Sequence, residues 1–154
     1  MGSFPKVICL GEALVDRLGP LGRDPSLVPI DLCNDFFGGA PANAACFLAR
    51  LGTPTAFVGR LGRDSIGHSF ERLLLSRGVL LDGLQWDLNR PTRIVLVRRN
   101  LDGERFFQGF VGDLGDGFAD QALDPEELQT VWSETFSHAQ WLLVGGGFKP
   151  CGFA

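Results

Sequence analysis

Short apolar runs broken by glycine, proline and polar pairs predict alternating strands and helices along most of this chain. Residues 6–10 form an apolar run that closes on Gly11, the pattern of a buried first strand. Residues 41–51 carry the apolar density of a helix packed on a sheet, opened by Pro41 and stopped by Gly52. A second buried strand follows at 55–58. Asp64-Ser65 then caps a helix that runs to about residue 77, ahead of Gly78. Glycine and proline recur over 17–29, which predicts a loop or irregular excursion, and 31–37 returns as a strand.

That order belongs to an α/β sheet with crossover helices. A hairpin interrupts it. Over 92–99, Thr92, Ile94 and Leu96 alternate with Arg93, Val95 and Val97, and a second strand follows at 104–111. The link Asn100-Leu101-Asp102-Gly103 ends on an Asp-Gly pair suited to a hairpin turn. Asp124-Pro125-Glu126-Glu127 opens a helix to about 135, and 141–144 is a further buried strand ending in Gly145-Gly146-Gly147. No internal repeat or low-complexity tract is visible.

Composition narrows the class without changing this outline. With 154 residues, 45% of them hydrophobic and 21% charged, the chain suits one domain with a real core. The net charge is −4 and Lys and Arg are scattered, which excludes a nucleic-acid surface. No apolar run reaches the roughly 20 residues of a membrane span. Residues 1–6 lack the basic start and apolar stretch of a signal peptide, so a cytoplasmic protein is expected. Cys9, Cys33, Cys46 and Cys151 show no Cys-x-x-Cys spacing and read as small buried hydrophobes in a reducing compartment. His68 and His138 lie far apart, with no ligand cluster around them.

The candidate chemistry sits in Gly38-Gly39-Ala40-Pro41-Ala42-Asn43-Ala44-Ala45. Two glycines let a backbone turn sharply and approach a ligand closely, and Pro41 suits the first turn of a helix. Asn43 would project from that turn with a donor and an acceptor, which a polyhydroxylated substrate requires. The first strand runs into Gly11-Glu12-Ala13-Leu14-Val15-Asp16. Ligands of open α/β sheets bind outside the carboxyl ends of the strands, so Asp16 and Asn43 are expected to face one pocket. Read alone, Asp16 fits a solvated or helix-capping carboxylate equally well, and Gly38-Gly39 a plain tight turn. A dinucleotide-binding fold needs Gly-x-Gly-x-x-Gly after the first strand, and 11–16 lack it.

The spacing of Gly39, Pro41, Asn43, Ala45, Gly52 and Gly62 resembles the N-terminal signature of ribokinase-like (pfkB-type) sugar kinases. Residues 11–16 are similar to their first strand and its sugar-binding aspartate. The Ala40-Pro41 pair resembles fructokinases and keto-sugar-acid kinases rather than ribokinase, where Lys-Gly is usual. The likeness continues through 92–111, Phe118-Ala119-Asp120 and 141–145. It implies a ribokinase-like α/β fold: a parallel sheet with flanking helices, plus a small β-sheet lid built from about 17–37 and 92–111. It also implies ATP-dependent phosphorylation of a sugar, fructose first, with Mg²⁺ as the metal. Asp16, Gly39 and Asn43 would bind sugar hydroxyls, Gly38 would permit the turn, and Arg105 and Phe107 are lid residues facing the substrate in one of two strand registers. Lids of this kind exclude water and often form a homodimer contact.

The resemblance stops where the family's chemistry begins. These kinases carry a C-terminal Gly-Ala-Gly-Asp loop that supplies the anion hole and the catalytic base. No such motif is present, so no catalytic residue is expected in this chain. Gly112-Asp113 and Gly115-Asp116-Gly117 read as solvated turns. The end of the chain from Gly147 does not complete another helix, and the expectation is a truncated kinase holding the sugar-binding half. Alone, such a half would expose a strand edge and associate or lose solubility. The alternatives are a non-catalytic sugar-binding or interaction remnant, and specificity for 2-keto-3-deoxygluconate or ribose.

Overall fold

The computed structural model describes residues 4–145. In chain order the strands are β1 (Val7–Gly11), β2 (Leu14–Leu21), β3 (Asn34–Gly38), β4 (Thr55–Gly62), β5 (Leu80–Asp87), β6 (Ile94–Arg99), β7 (Arg105–Val111) and β8 (Trp141–Gly145). The helices are α1 (Ala40–Arg50), α2 (Ser65–Ser76) and α3 (Pro125–Val131). Two sheets result. The main sheet is parallel, in the order β5-β4-β1-β8. The second runs β3-β2-β6-β7, with β2 and β6 parallel at its centre and antiparallel partners outside them.

A parallel sheet covered on both faces needs strands that are apolar throughout. β4 is buried at every position but Arg60. Cys9, Phe57 and Leu61 pack with Ala42 and Ala45 of α1 and with Phe70 and Leu74 of α2. The alternate residues Ile8, Ala56 and Val58 pack with Phe136 on the other face, against Leu128 and Val131 of α3. Among the described residues β8 pairs on one side only, and Trp141 and Val144 are 71% and 58% exposed. No described helix is long and apolar enough to cross a membrane.

Several elements differ from the sequence expectation. Residues 17–21 form the second half of β2 instead of a loop. A register shift against β6 between Leu18 and Leu21 lets Gly19-Pro20 pass without ending the strand. β5 was not anticipated, because Asp82, Gly83, Gln85 and Asp87 interrupt its apolar pattern. The last predicted helix ends at Val131 and widens into a π turn at Trp132–Phe136, which carries Phe136 into the core. β6 starts at Ile94, so Thr92 and Arg93 stay at the root of the second sheet. A 3-10 turn at Ile30–Leu32 precedes β3. The predicted abrupt ending from Gly147, and Cys151, lie outside the described residues.

Candidate functional site

The carboxyl ends of β1 and β8 meet the first turn of α1. A Cβ on Gly11 would collide with the Gly145 carbonyl and lie 2.6 Å from Pro41 Cγ, so only glycine lets these three segments close up. Gly39 is the residue before α1 and has φ +97°, with a Cβ position 2.6 Å from the Glu12 carbonyl oxygen. Glycine is therefore required at Gly39 by both backbone conformation and space. At Gly38 a Cβ would stand 2.9 Å from Asp16 Oδ2. The missing side chain there is what leaves room beside the carboxylate.

Asp16, on β2, opposes Phe36 on β3 and Val95 on β6, and Val95 opposes Phe110 on β7. Directly opposed residues share a sheet face, so these four form one row. The register shift in β7 at Gln108 keeps Phe107 on that face, where its ring lies 5.1 Å from that of Phe110. Arg105 shares the face as well, paired with Arg99. Burial raises the Asp16 carboxyl above the ordinary aspartate value, and the positive charge of Arg105 pulls it partly back. Among the described residues no side chain or backbone N–H hydrogen-bonds to the Asp16 carboxylate, which leaves its acceptor sites open to a ligand.

Asp16, Gly38 and Gly39 thus come together, and Arg105 and Phe107 share the Asp16 face. Asn43 stands apart from that contact. It is exposed, and it lines a groove between α1 and α2 with Cys46, Phe47, Arg50, Leu73 and Arg77. Its backbone N–H donates to the Gly39 carbonyl at 2.9 Å, so the glycine turn and Asn43 are nonetheless coupled through the first helical bond.

Two polar networks at the root of the second sheet were not expected from the sequence, although the Asp64 cap within the first of them was. Asp64 caps α2 by accepting from the Gly67 N–H at 2.7 Å, and it also accepts from the Thr92 N–H at 2.7 Å and the Thr92 hydroxyl at 3.0 Å. The Thr92 hydroxyl accepts from the Gly62 N–H at 3.0 Å. Arg93 and Asp120 form a buried ion pair. The usable signal was a polar pair, Thr92-Arg93, placed where an apolar strand was beginning. Asp87 is, like Asp120, a buried carboxylate: it accepts from the N–H groups of Asn89 and Arg90, and Arg60 Nε lies 3.1 Å from it, out of line for a hydrogen bond.

Among the described residues no three metal-ligating side chains converge. Asp113 is occupied by the N–H groups of Gly115 and Gly117, at 2.7 and 2.9 Å, so the glycine-rich stretch after β7 is a self-bonded turn. Cys9 is inert: burial, with Cys46 adding to it, pushes its thiol up to about 11.

The family model described as "pfkB family carbohydrate kinase" matches residues 5–148. The chain is 38% identical to a fructokinase of Escherichia coli over 137 residues, covering 89% of this chain and 39% of that enzyme. It is 37% identical to a fructokinase of Solanum tuberosum over 122 residues, covering 79% of this chain and 37% of that one. Among solved structures, a fructokinase from Xylella fastidiosa superposes with a TM-score of 0.73 at 31% identity, covering 90% of this chain and 40% of that one. The chain therefore spans about two fifths of the length of these relatives. The matched family model, over nearly the whole of the described fold, makes this chain a member of the pfkB family of carbohydrate kinases.

Proposed function

We propose that this chain is the sugar-binding part of a kinase that transfers a phosphoryl group to a hydroxyl of fructose. The observation that carries the reading is the Asp16 carboxylate, held without a protein hydrogen bond against Gly38. Fructose is favoured by the fructokinases among the relatives. A carboxylate accepts from two adjacent hydroxyls at once, and each charge-assisted bond is worth about 1.5–3 kcal/mol. Gly39 brings the turn before α1 close to the sugar, Asn43 braces that turn through its N–H bond to the Gly39 carbonyl, and Arg105 and Phe107 face the sugar from β7. ATP and Mg²⁺ are the phosphoryl donor and its metal, bound by the part of the enzyme that this chain does not span. Residues 4–145 alone bind and do not transfer. The second sheet acts as lid and as homodimer contact, and the free state of Cys9, Cys33 and Cys46 among the described residues favours the reducing cytoplasm.

Calorimetric titration with D-fructose, 2-keto-3-deoxygluconate and D-ribose tests this. Fructose is expected to bind best, and Asp16→Ala to weaken it at least tenfold, the equivalent of about 1.4 kcal/mol. Unchanged affinity in Asp16→Ala would refute the site. Release of ADP by the 154 residues, supplied with ATP and fructose, would refute the division of labour.

A further inference from the structure

The ion pair between Arg93 and Asp120 lies where the two sheets join, and the sugar site as described has no use for it. Both residues are 8% exposed. Arg93 Nε and Nη2 donate to Asp120 Oδ1 at 3.2 and 2.9 Å, and Nε also lies 2.9 Å from Oδ2. The same guanidinium sits over two aromatic rings, 5.3 Å from the centroid of Phe110 and 5.4 Å from that of Phe118. Asp120 belongs to a 3-10 turn at Ala119–Gln121, fastened to the root of β6 by the Ala119 N–H donating to the Pro91 carbonyl at 3.0 Å.

Desolvation of two buried charges offsets most of their attraction, so such a pair is a poor source of stability. A planar fork with fixed partners is, however, a good source of position. Arg93 has three attachments. Its side chain is locked to Asp120 at the main body. Its carbonyl accepts from the N–H of Val15 at 2.9 Å, the residue immediately before Asp16. Its guanidinium face supports Phe110, which shares the Asp16 row of the second sheet.

We propose that Arg93 is a positioning residue that fixes the second sheet, and with it Asp16 and Phe110, relative to the main sheet. The inference rests on the sugar-binding reading of Asp16 for its functional consequence, and on geometry alone for its structural one. The test compares wild type with Arg93→Lys, Asp120→Asn and the apolar double variant Arg93→Met/Asp120→Leu. Three measurements are made on the full chain: urea midpoint, residue-resolved amide hydrogen exchange and fructose affinity.

The double variant is expected to keep a near wild-type midpoint. Its amides in β2 and β6 should exchange at least tenfold faster, while those in β1 and β4 are unchanged, and fructose should bind at least tenfold more weakly. Arg93→Lys keeps the charge without the fork and should show the same selective loosening, with Asp120→Asn between it and wild type. A purely structural role would instead change the midpoint and loosen both sheets together, or would leave affinity intact once the midpoint is restored; either overturns the proposal. If the double variant does not fold, Arg93→Lys decides by the same exchange contrast. If wild type binds no sugar at all, the selective exchange change upholds the fastening and the sugar-binding reading fails on its own.

Discussion

Replacing Thr92 by valine removes a hydroxyl and almost nothing else. Thr92 is 2% exposed, and the valine methyl occupies the space of the lost oxygen, so no cavity forms. Two bonds disappear: the Gly62 N–H loses its acceptor at 3.0 Å, and Asp64 loses the hydroxyl donor at 3.0 Å. Asp64 keeps the N–H groups of Gly67 and Thr92, both at 2.7 Å, and remains satisfied. Gly62 has no such reserve. Stranding one buried donor costs about 1–3 kcal/mol, and the lost charge-assisted bond brings the expected total to about 2–3 kcal/mol. At about 2–4 °C per kcal/mol for a chain of this size, Tm should fall by about 5–10 °C. Thr92→Ser keeps the hydroxyl and loses one methyl, a change of about 0.8 kcal/mol. Urea unfolding followed by tryptophan fluorescence should rank wild type above Thr92→Ser and Thr92→Ser above Thr92→Val, although valine is the better match in shape. Thr92→Val at wild-type stability, or below serine in cost, would refute the network as a stabilising unit.

Two further outcomes follow from the charged groups. Burial works against the Asp87 carboxylate, but the N–H groups of Arg90 and Asn89, the Arg90 side chain and the charge of Arg60 outweigh it and hold its pKa below the ordinary aspartate value. Its contribution to stability is therefore complete above the unfolded-state pKa and is lost as pH falls through the lower, folded-state one. The stability gap between wild type and Asp87→Asn should narrow as pH is lowered from 7 towards 3, and a constant or widening gap in urea titrations would contradict this. Arg105 lowers the Asp16 pKa, so Arg105→Ala should move the Asp16 titration upward when followed by carboxyl NMR, and an unmoved titration would separate the two residues.

What was legible in the sequence, and what was not, divides along physical lines. β1 and β4 were readable because burial on both faces leaves a continuous apolar run, and α2 because Asp64 and Gly78 mark its two ends. β5 was hidden because its polar residues serve the interior: Gln85 is 4% exposed and exchanges two 2.7 Å hydrogen bonds with the backbone of Asp124. The far half of β2 was hidden because Gly19-Pro20 is a breaker unless a register shift absorbs it. At the site, the meeting of Asp16 with Gly38 follows from a strand end and a glycine turn at one sheet edge. Which way Arg105 and Phe107 face depends on the shift at Gln108, and no alternation rule anticipates an extra residue.

The pairing of β1 with both β4 and β8 has a consequence in time. β1 is synthesised first, yet it lies in the interior of its sheet, and the strand on its second side begins about 80 residues after β4 ends. At about 5–20 residues per second, translation leaves that side of β1 without its partner for about 4–16 s. Throughout that interval Val7, Ile8, Cys9 and Leu10 have half their strand partners, and their free edge accepts any extended segment within reach. A nascent chain stalled before Trp141 is thus the form most in need of a chaperone, and variants that slow β8 should reduce yield without altering the stability of the molecules that do fold.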